Sequence, residues 1–557
     1  MKMKTRRLMG LLAATMACGL TQISCSNGDT PVGTPVIEEE GYSISDEEFA
    51  GFNGQVIESG EMTAQTILED MIEDHMDMQT YDDTIYTDYA KSELEQLADA
   101  NAGTRAGEDG KPGTDKMFKL AYTTVRYTTT SVDGSQKEMS ELIVWPTSYI
   151  FSDPSPKNLI IGCHCTITSN DQRPTNFSKL NYRTDVGMLA LYAQGRLLTG
   201  NCLVVIPDYE GYGVTKDSPH PYCNRDVTAR QVIDGAKFAI GWMERNRKTK
   251  MKKGWKSVAV GYSQGGAVAA GVARYYLENN MTGLNLQGAV CGDGPYDPLA
   301  TLKQYISDDR MYMPVAGALL LKGVVDTNKE LKALNCQYED FVTKSFLDTG
   351  IFEWLKGKEL TTDNIQARLQ EHSKLKGGSK ESGGNGGFTM QVWNTNTKRY
   401  ETYAGSYVEK NAGNWKTDPN GAYSYCTVDQ CLRPEVIEYF KTGSVPTGYS
   451  NVKLDALKQA LAENCLTYGD KWMPSQGNTP FIFFHSTRDE VVPVCNYESV
   501  KGSWGIERIQ GHPYKSGTYL HVNSGAAFYT RYVNNFVYPL LKGPQPTGES
   551  NITGKLY

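Results

Sequence analysis

The segment Gly261-Tyr262-Ser263-Gln264-Gly265-Gly266 restricts how this chain can fold more than any other feature. It follows a short apolar run, Ser257–Val260, and precedes a run of small residues, Ala267–Leu277, that reads as a helix. A serine between glycines is common in turns. Between a buried strand and a helix it is a sharp, strained reversal that raises the serine hydroxyl above its surroundings. Glycines are needed there because bulky neighbours would clash with closely packed backbone. The helix N-terminus and the Gln264 amide then offer hydrogen bonds to developing negative charge.

The flanking sequence supplies the rest of such a sheet. Leu120–Thr129 and Glu141–Trp145 read as antiparallel opening strands. Leu159–Ile161, Leu203–Ile206, Gln287–Val290, Phe481–Phe484 and Ile506–Ile509 read as short buried strands. Helical stretches separate them, including Val227–Arg247, with Val232, Ala236, Ala239, Ile240 and Met243 on one face, and a terminal stretch Ala526–Leu541. This alternation predicts an α/β fold: a mostly parallel central sheet with helices on both faces. Residues 299–479 break the alternation, and the sheet resumes after them. They read as a large, mainly helical cap inserted into the core, with weaker support for an independent second domain. Within them Val315–Leu321 is apolar enough either to line a pocket or to pack as a buried helix, and residues 377–387 form a glycine-rich loop.

A serine hydroxyl needs a base, and the base needs an orienting acid. Asp489 lies on the loop after the strand Phe481–Phe484, and His521 lies after the last strand, before the terminal helix. The expected relay runs from Asp489 to His521 to Ser263, with a base of ordinary histidine pKa, about 6–7. His512, in a Gly-His-Pro turn, is the rival base. Asp293 and Asp297 are rival acids, and Glu490 is expected to point away. No metal or organic cofactor is called for; Cys163-His164-Cys165 lacks a second pair of ligands at metal-binding spacing.

Five motifs occur in order: Pro207-Asp208-Tyr209-Glu210-Gly211-Tyr212-Gly213, His220-Pro221-Tyr222, GYSQGG at 261–266, CGDGPYDP at 291–298 and HSTRDEVVP at 485–493. Together they resemble the secretory lipase family of α/β-hydrolases and related bacterial esterases, across roughly residues 115–542. The resemblance implies the α/β-hydrolase fold with a helical cap at 299–479. It also implies Ser263 as nucleophile, Asp489 as acid and His521 as base. At 162–166 the chain reads Gly-Cys-His-Cys-Thr where relatives often show His-Gly-Thr. The backbone amides expected to form the oxyanion hole are therefore Gln264 and Cys165, with Thr166 next. Asp208 and Tyr209 are expected to hold a loop rather than touch substrate, with a rim role for Tyr209 or Tyr212 as the alternative.

The N-terminus reads as a targeting segment. Lys2, Lys4, Arg6 and Arg7 precede a short apolar run, Leu8–Leu20, too short to span a bilayer. Cys25 follows small and polar residues, in an arrangement that resembles a bacterial lipoprotein signal in which the cysteine is lipidated. Gln22 departs from the leucine preferred there, and Cys18 is the alternative. Residues 25–114 read as a polar extension and linker, with a helical stretch Thr63–His75. The core is then expected at 115–298 and 480–557. Removing residues 1–24 would take away four cations and move the formal net charge from −8 to −12, which argues against nucleic acid as a partner. In an oxidising compartment some of the remaining cysteines would pair, Cys426 with Cys431 as a short loop.

The expected activity is hydrolysis of carboxylic esters, small-molecule, lipid or glycan esters included, at the cell envelope through a lipid anchor or, after ordinary cleavage and release, as a secreted protein. A serine peptidase on the same fold and a non-catalytic, lipid-anchored binding protein are the alternatives.

Overall fold

In the computed structural model the described residues are 55–63, 119–147, 155–179, 185–194, 202–375, 387–394, 397–402, 424–469, 472–477, 480–514 and 520–542, with isolated positions at 66, 67, 69 and 91. The targeting segment, Cys18, Cys25 and most of the glycine-rich loop lie outside them, as does the helix expected after residue 69.

The core is a nine-stranded sheet. In chain order its strands are β1 (Val56–Thr63), β2 (Lys119–Thr130), β3 (Gln136–Pro146), β4 (Asn158–Cys163), β5 (Cys202–Pro207), β6 (Ser257–Tyr262) and β7 (Leu286–Gly292). Three short strands, β8 (Gln391–Asn394), β9 (Arg399–Thr402) and β10 (Ser424–Tyr425), form a separate small sheet. The main sheet then resumes with β11 (Phe481–Ser486) and β12 (Gln510–Tyr514), giving the order β1-β2-β3-β5-β4-β6-β7-β11-β12. The first four of these are joined antiparallel and the rest parallel.

The four apolar runs at the centre, β4, β5, β6 and β11, are buried along their whole length. Successive side chains of a strand point to opposite faces. Leu159, Ile161, Leu203 and Val205 accordingly join the cluster beneath the helices Arg225–Arg247, Gln264–Glu278 and Cys495–Trp504. Ile160, Val204 and Ile206 join the opposite cluster, with the helix Asp185–Leu191 and the C-terminal helices. Each such aliphatic side chain contributes about 1.5–3 kcal/mol of transfer free energy.

Two strand expectations are corrected. The edge strand β1 comes from the region read as a polar extension; it pairs antiparallel with β2, and its pattern is mostly exposed or half-buried. Thr63 closes this strand rather than opening a helix. The last strand is Gln510–Tyr514, not Ile506–Ile509. Residues 506–509 form a turn after Gly505, which ends the preceding helix at φ +79°. An edge strand needs no apolar run, and it tolerates Pro513; neither rule is visible in hydrophobic periodicity.

Between β7 and β11 the chain forms the helices Pro298–Asp308, Pro314–Thr327, Ile351–Gly357, Thr362–Leu375, Pro434–Thr442 and Val452–Glu463. They share a third apolar cluster, which also takes in Tyr222 and Cys223 from the loop after β5. Cys426 and Cys431 lie in this segment as buried thiols, their Sγ atoms 3.3 Å apart. No helix among the described residues is long and apolar enough to cross a membrane.

Candidate active site

Ser263 caps the helix Gln264–Glu278 immediately after β6, with φ 57° and ψ −125°. This left-handed conformation is costly for a residue with a side chain, and such strain is held only where the surroundings over-determine it. Here they do. The Ser263 N–H donates to the Gly292 carbonyl at 2.9 Å, tying the turn to β7. A Cβ on Gly265 would sit 2.0 Å from the Cys163 oxygen, and one on Gly266 would sit 2.4 Å from that of Gly292. The flanking glycines thus let the turn press against the ends of β4 and β7.

Asp489 lies on the turn after β11. Its Oδ1 accepts from the Val491 and Val492 amides at 2.9 and 2.6 Å, and its Oδ2 lies 2.5 Å from His521 Nδ1. The other ring nitrogen, Nε2, lies 2.9 Å from Ser263 Oγ. A carboxylate at Nδ1 fixes the tautomer with its hydrogen there, so Nε2 is free to accept the serine proton. Burial disfavours a charge on His521, but the charge and hydrogen bond of Asp489 outweigh it and push the pKa up to about 9. This lies above the ordinary value expected from sequence.

His521 is the first residue of the helix His521–Ala527 rather than a residue before it. Its own N–H, one of the helix-start donors without an intrahelical partner, donates to Glu490 Oε2 at 2.9 Å. Glu490 therefore does not point away, as expected; it clamps the main chain of His521. Burial, helped by the Asp489 charge, pushes the Glu490 pKa up to about 7. The His521 carbonyl accepts from the Tyr262 hydroxyl at 2.6 Å. Tyr262 and Glu490 both lie within the motifs, but neither clamp can be read there, because each forms only when the folded chain brings His521 beside it.

The rivals fall elsewhere. His512 is inside β12, stacked on Phe484 with ring centroids 5.0 Å apart. Asp297 caps the helix Pro298–Asp308 through the Ala300 N–H. Asp293 lies behind Tyr262. Tyr209 and Tyr212 are buried, their hydroxyls donating to the carbonyls of His164 and Ile167, and Asp208 accepts from Ser140 and Thr175. All three hold loops.

Gln264 opens its helix, so its amide is among those with no intrahelical acceptor. Its side chain donates to His220 Nε2 at 3.0 Å, and His220 Nδ1 in turn donates to the Glu210 carbonyl at 2.6 Å. Burial pushes the His220 pKa down to about 3, so this histidine is a neutral brace. The Cys165 amide is not free as expected, because it donates to Asp185 Oδ2. The partner arrives from 20 residues downstream, so local sequence gave no sign of it.

In the Cys163-His164-Cys165 stretch, His164 Nδ1 and Nε2 face the carbonyls of Cys165 and Asp208. Among the described residues, Asp293, His485 and Asp489 are the group whose donor atoms lie close enough to share an ion. Both Asp489 oxygens there are already occupied by N–H donors.

Ser263 and His521 open onto a cavity of about 790 Å³. One wall is core, with Cys165, Thr166 and Tyr262, and another is the inserted segment, with Tyr305, Val315, Leu319 and Leu320. The run Val315–Leu321 serves both purposes weighed for it. Val315 and Leu319 are buried in the apolar cluster of the insertion and also line the cavity, as does the half-buried Leu320.

No protein-family model matches the chain, and no curated protein sequence matches it. Solved structures do. The rice cell wall degrading esterase LipA from Xanthomonas oryzae aligns over 86% of this chain and 94% of its own, with 17% identity and a TM-score of 0.52. A ligand-bound form of that esterase aligns over 87% and 96%, with the same identity and TM-score. A protein from Legionella pneumophila aligns over 87% and 98%, with 13% identity and a TM-score of 0.54. With its central parallel strands, its helices on both faces and its serine on the strand–helix turn after β6, this chain has the α/β-hydrolase fold.

Proposed function

We propose that the protein is an exported serine hydrolase that cleaves carboxylic esters through Ser263, His521 and Asp489, and that Cys25 carries a lipid anchor at the cell envelope. The observation that carries the catalytic part is the unbroken relay from Asp489 Oδ2 to His521 Nδ1, and from His521 Nε2 to Ser263 Oγ. The sequence of residues 1–25 supports export and anchoring. The fold shared with an esterase agrees with the chemistry.

In this reading His521 takes the Ser263 proton as Oγ bonds to the ester carbonyl carbon. The Gln264 amide, at the start of its helix, receives the oxyanion. The tetrahedral intermediate collapses, His521 gives its proton to the leaving alkoxide, and an acyl-Ser263 remains. Water activated by the same imidazole then releases the acid and restores the serine. Residues 165–166 are the proposed source of a second oxyanion donor. The Cys165 amide qualifies only when Asp185 lets go of it. Assaying the mature protein on a panel of alkyl, aryl and sugar esters beside matched amides tests the reading. Turnover of the amides but not the esters would contradict it.

Two further results are expected. Only neutral His521 can accept the serine proton, so kcat/KM should climb with pH and level off only above about 9. A pH–rate profile from 5 to 10 checks this, and a plateau reached near 7 would show that Asp489 does not hold the imidazolium as strongly as the geometry implies. Leu320→Trp should reduce kcat/KM for long-chain esters by about tenfold or more while acetyl esters and melting temperature hold, since bulk in a pocket penalises only substrates that used the space. An earlier melt with an unchanged chain-length profile would assign Leu320 to packing alone.

A further inference from the structure

Asp293 follows β7 and is fully buried, yet the relay does not use it. Its surroundings can be counted hydrogen by hydrogen. Oδ1 accepts from the Ser486 N–H at 2.6 Å, and Oδ2 accepts from the Ser524 hydroxyl. Oδ2 also lies 2.6 Å from the Tyr262 hydroxyl oxygen, which lies 2.6 Å from the His521 carbonyl oxygen. A carbonyl cannot donate, so the one hydrogen of Tyr262 is needed for His521. The contact between Tyr262 and Asp293 then has no hydrogen unless the carboxyl group supplies it. If Asp293 were ionised, one of the two contacts would set oxygen lone pairs against each other, at a large cost in a buried site.

We infer that Asp293 is a neutral carboxylic acid whose proton is donated to Tyr262, so that Tyr262 in turn holds the main chain of His521. This makes Asp293 a positioning residue: it acts through Tyr262 on the carbonyl of His521 and through Ser524 on the helix that His521 begins. The neighbouring groups are consistent with this. Asp489 already places one negative charge in this pocket, and a second carboxylate beside it is disfavoured. Burial pushes the Asp293 pKa up, outweighing the lowering effect of His485, and the Asp489 charge adds to the rise. His485 directs Nε2 to the Val492 carbonyl at 2.8 Å, so its hydrogen sits there, while its Nδ1 lies 3.9 Å from Asp293. Tyr514 meets Ser524 from β12, and Glu490 holds the His521 N–H on the other side.

The kinetic test rests on the proposed ester hydrolysis, whereas the spectroscopic one does not. Asp293→Asn keeps the shape and can still donate to Tyr262 and accept from Ser486, whereas Asp293→Ala removes both. Asn should keep kcat within about threefold of wild type, and Ala should lower it about tenfold or more with KM little changed. In infrared difference spectra of the full chain at neutral pH, wild type minus Asp293→Asn should show the stretch of one buried protonated carboxyl group, over the bands that Glu490 and the buried Glu141 contribute to both proteins. A band unchanged by Asp293→Asn, or Asn as damaging as Ala, would overturn the inference and point to an ionised Asp293 paired with a charged His485. Loss of the band in a protein that hydrolyses no ester would sustain the protonated Asp293 and sink the proposed function. The infrared comparison needs only the Asn variant, so it decides the matter even if the Ala variant fails to fold.

Discussion

Ser263→Ala is expected to lower kcat on a good ester substrate by about four to six orders of magnitude while leaving the melting temperature close to that of wild type. The chemistry depends on one oxygen, which lies 2.9 Å from His521 Nε2. Little else depends on it. The Ser263 main chain carries the structural bonds, its N–H to Gly292 and its carbonyl to the Ala267 N–H, and alanine keeps both. Alanine also relieves none of the positive φ, so the strain of the turn is unchanged. Kinetics and thermal melting on the same preparation check the expectation. Activity within an order of magnitude of wild type would remove Ser263 from the mechanism.

Lys358→Met is expected to cost about 3–5 kcal/mol of stability, the range for leaving buried partners of a charged group unsatisfied. Lys358 stands at the C-terminus of the helix Ile351–Gly357, in the inserted segment, and is buried. Its ammonium donates to the carbonyls of Gly211, Lys216 and Ser218 at 2.5, 2.7 and 2.7 Å, one acceptor for each of its three hydrogens. Its carbonyl accepts from the Asn170 N–H. Methionine fills the space and leaves three loop carbonyls without a donor. These carbonyls belong to the loop that leads to His220, the brace of Gln264. Activity should therefore fall along with stability, and urea unfolding beside kcat measures both. Burial pushes the Lys358 pKa down to about 8, because removing water penalises its charge. A mutant as stable as wild type would show that water replaces the ammonium at no cost.

What local sequence could reveal follows from how each feature is made. The turn at Ser263 is local: its strand, its glycines and its helix lie within a few tens of residues, so the motif carries its own geometry. Asp489 was legible for a similar reason, since a loop after a buried apolar strand is visible in hydrophobicity. The Lys358 ammonium, the Asp185 carboxylate on Cys165 and the Glu490 clamp on His521 were not legible. They are contacts between segments that only the folded chain brings together. Asp293 could be listed as a candidate acid but not given its place behind Tyr262, because that depends on counting hydrogens in three dimensions. β1 and β12 were missed for the opposite reason: edge strands need no apolar run, so periodicity is silent exactly where the sheet ends.

Covalent capture tests the central claim most directly. A fluorophosphonate reacts with a serine only when a neighbouring base makes its oxygen nucleophilic, so it reports activation without requiring the natural substrate. Treating the purified mature protein with the probe and mapping the adduct by mass spectrometry should give one modification, on Ser263, that disappears in Ser263→Ala and is strongly slowed in a variant lacking the His521 imidazole. Failure to label the folded protein, or an adduct on another residue that persists in Ser263→Ala, would contradict the account.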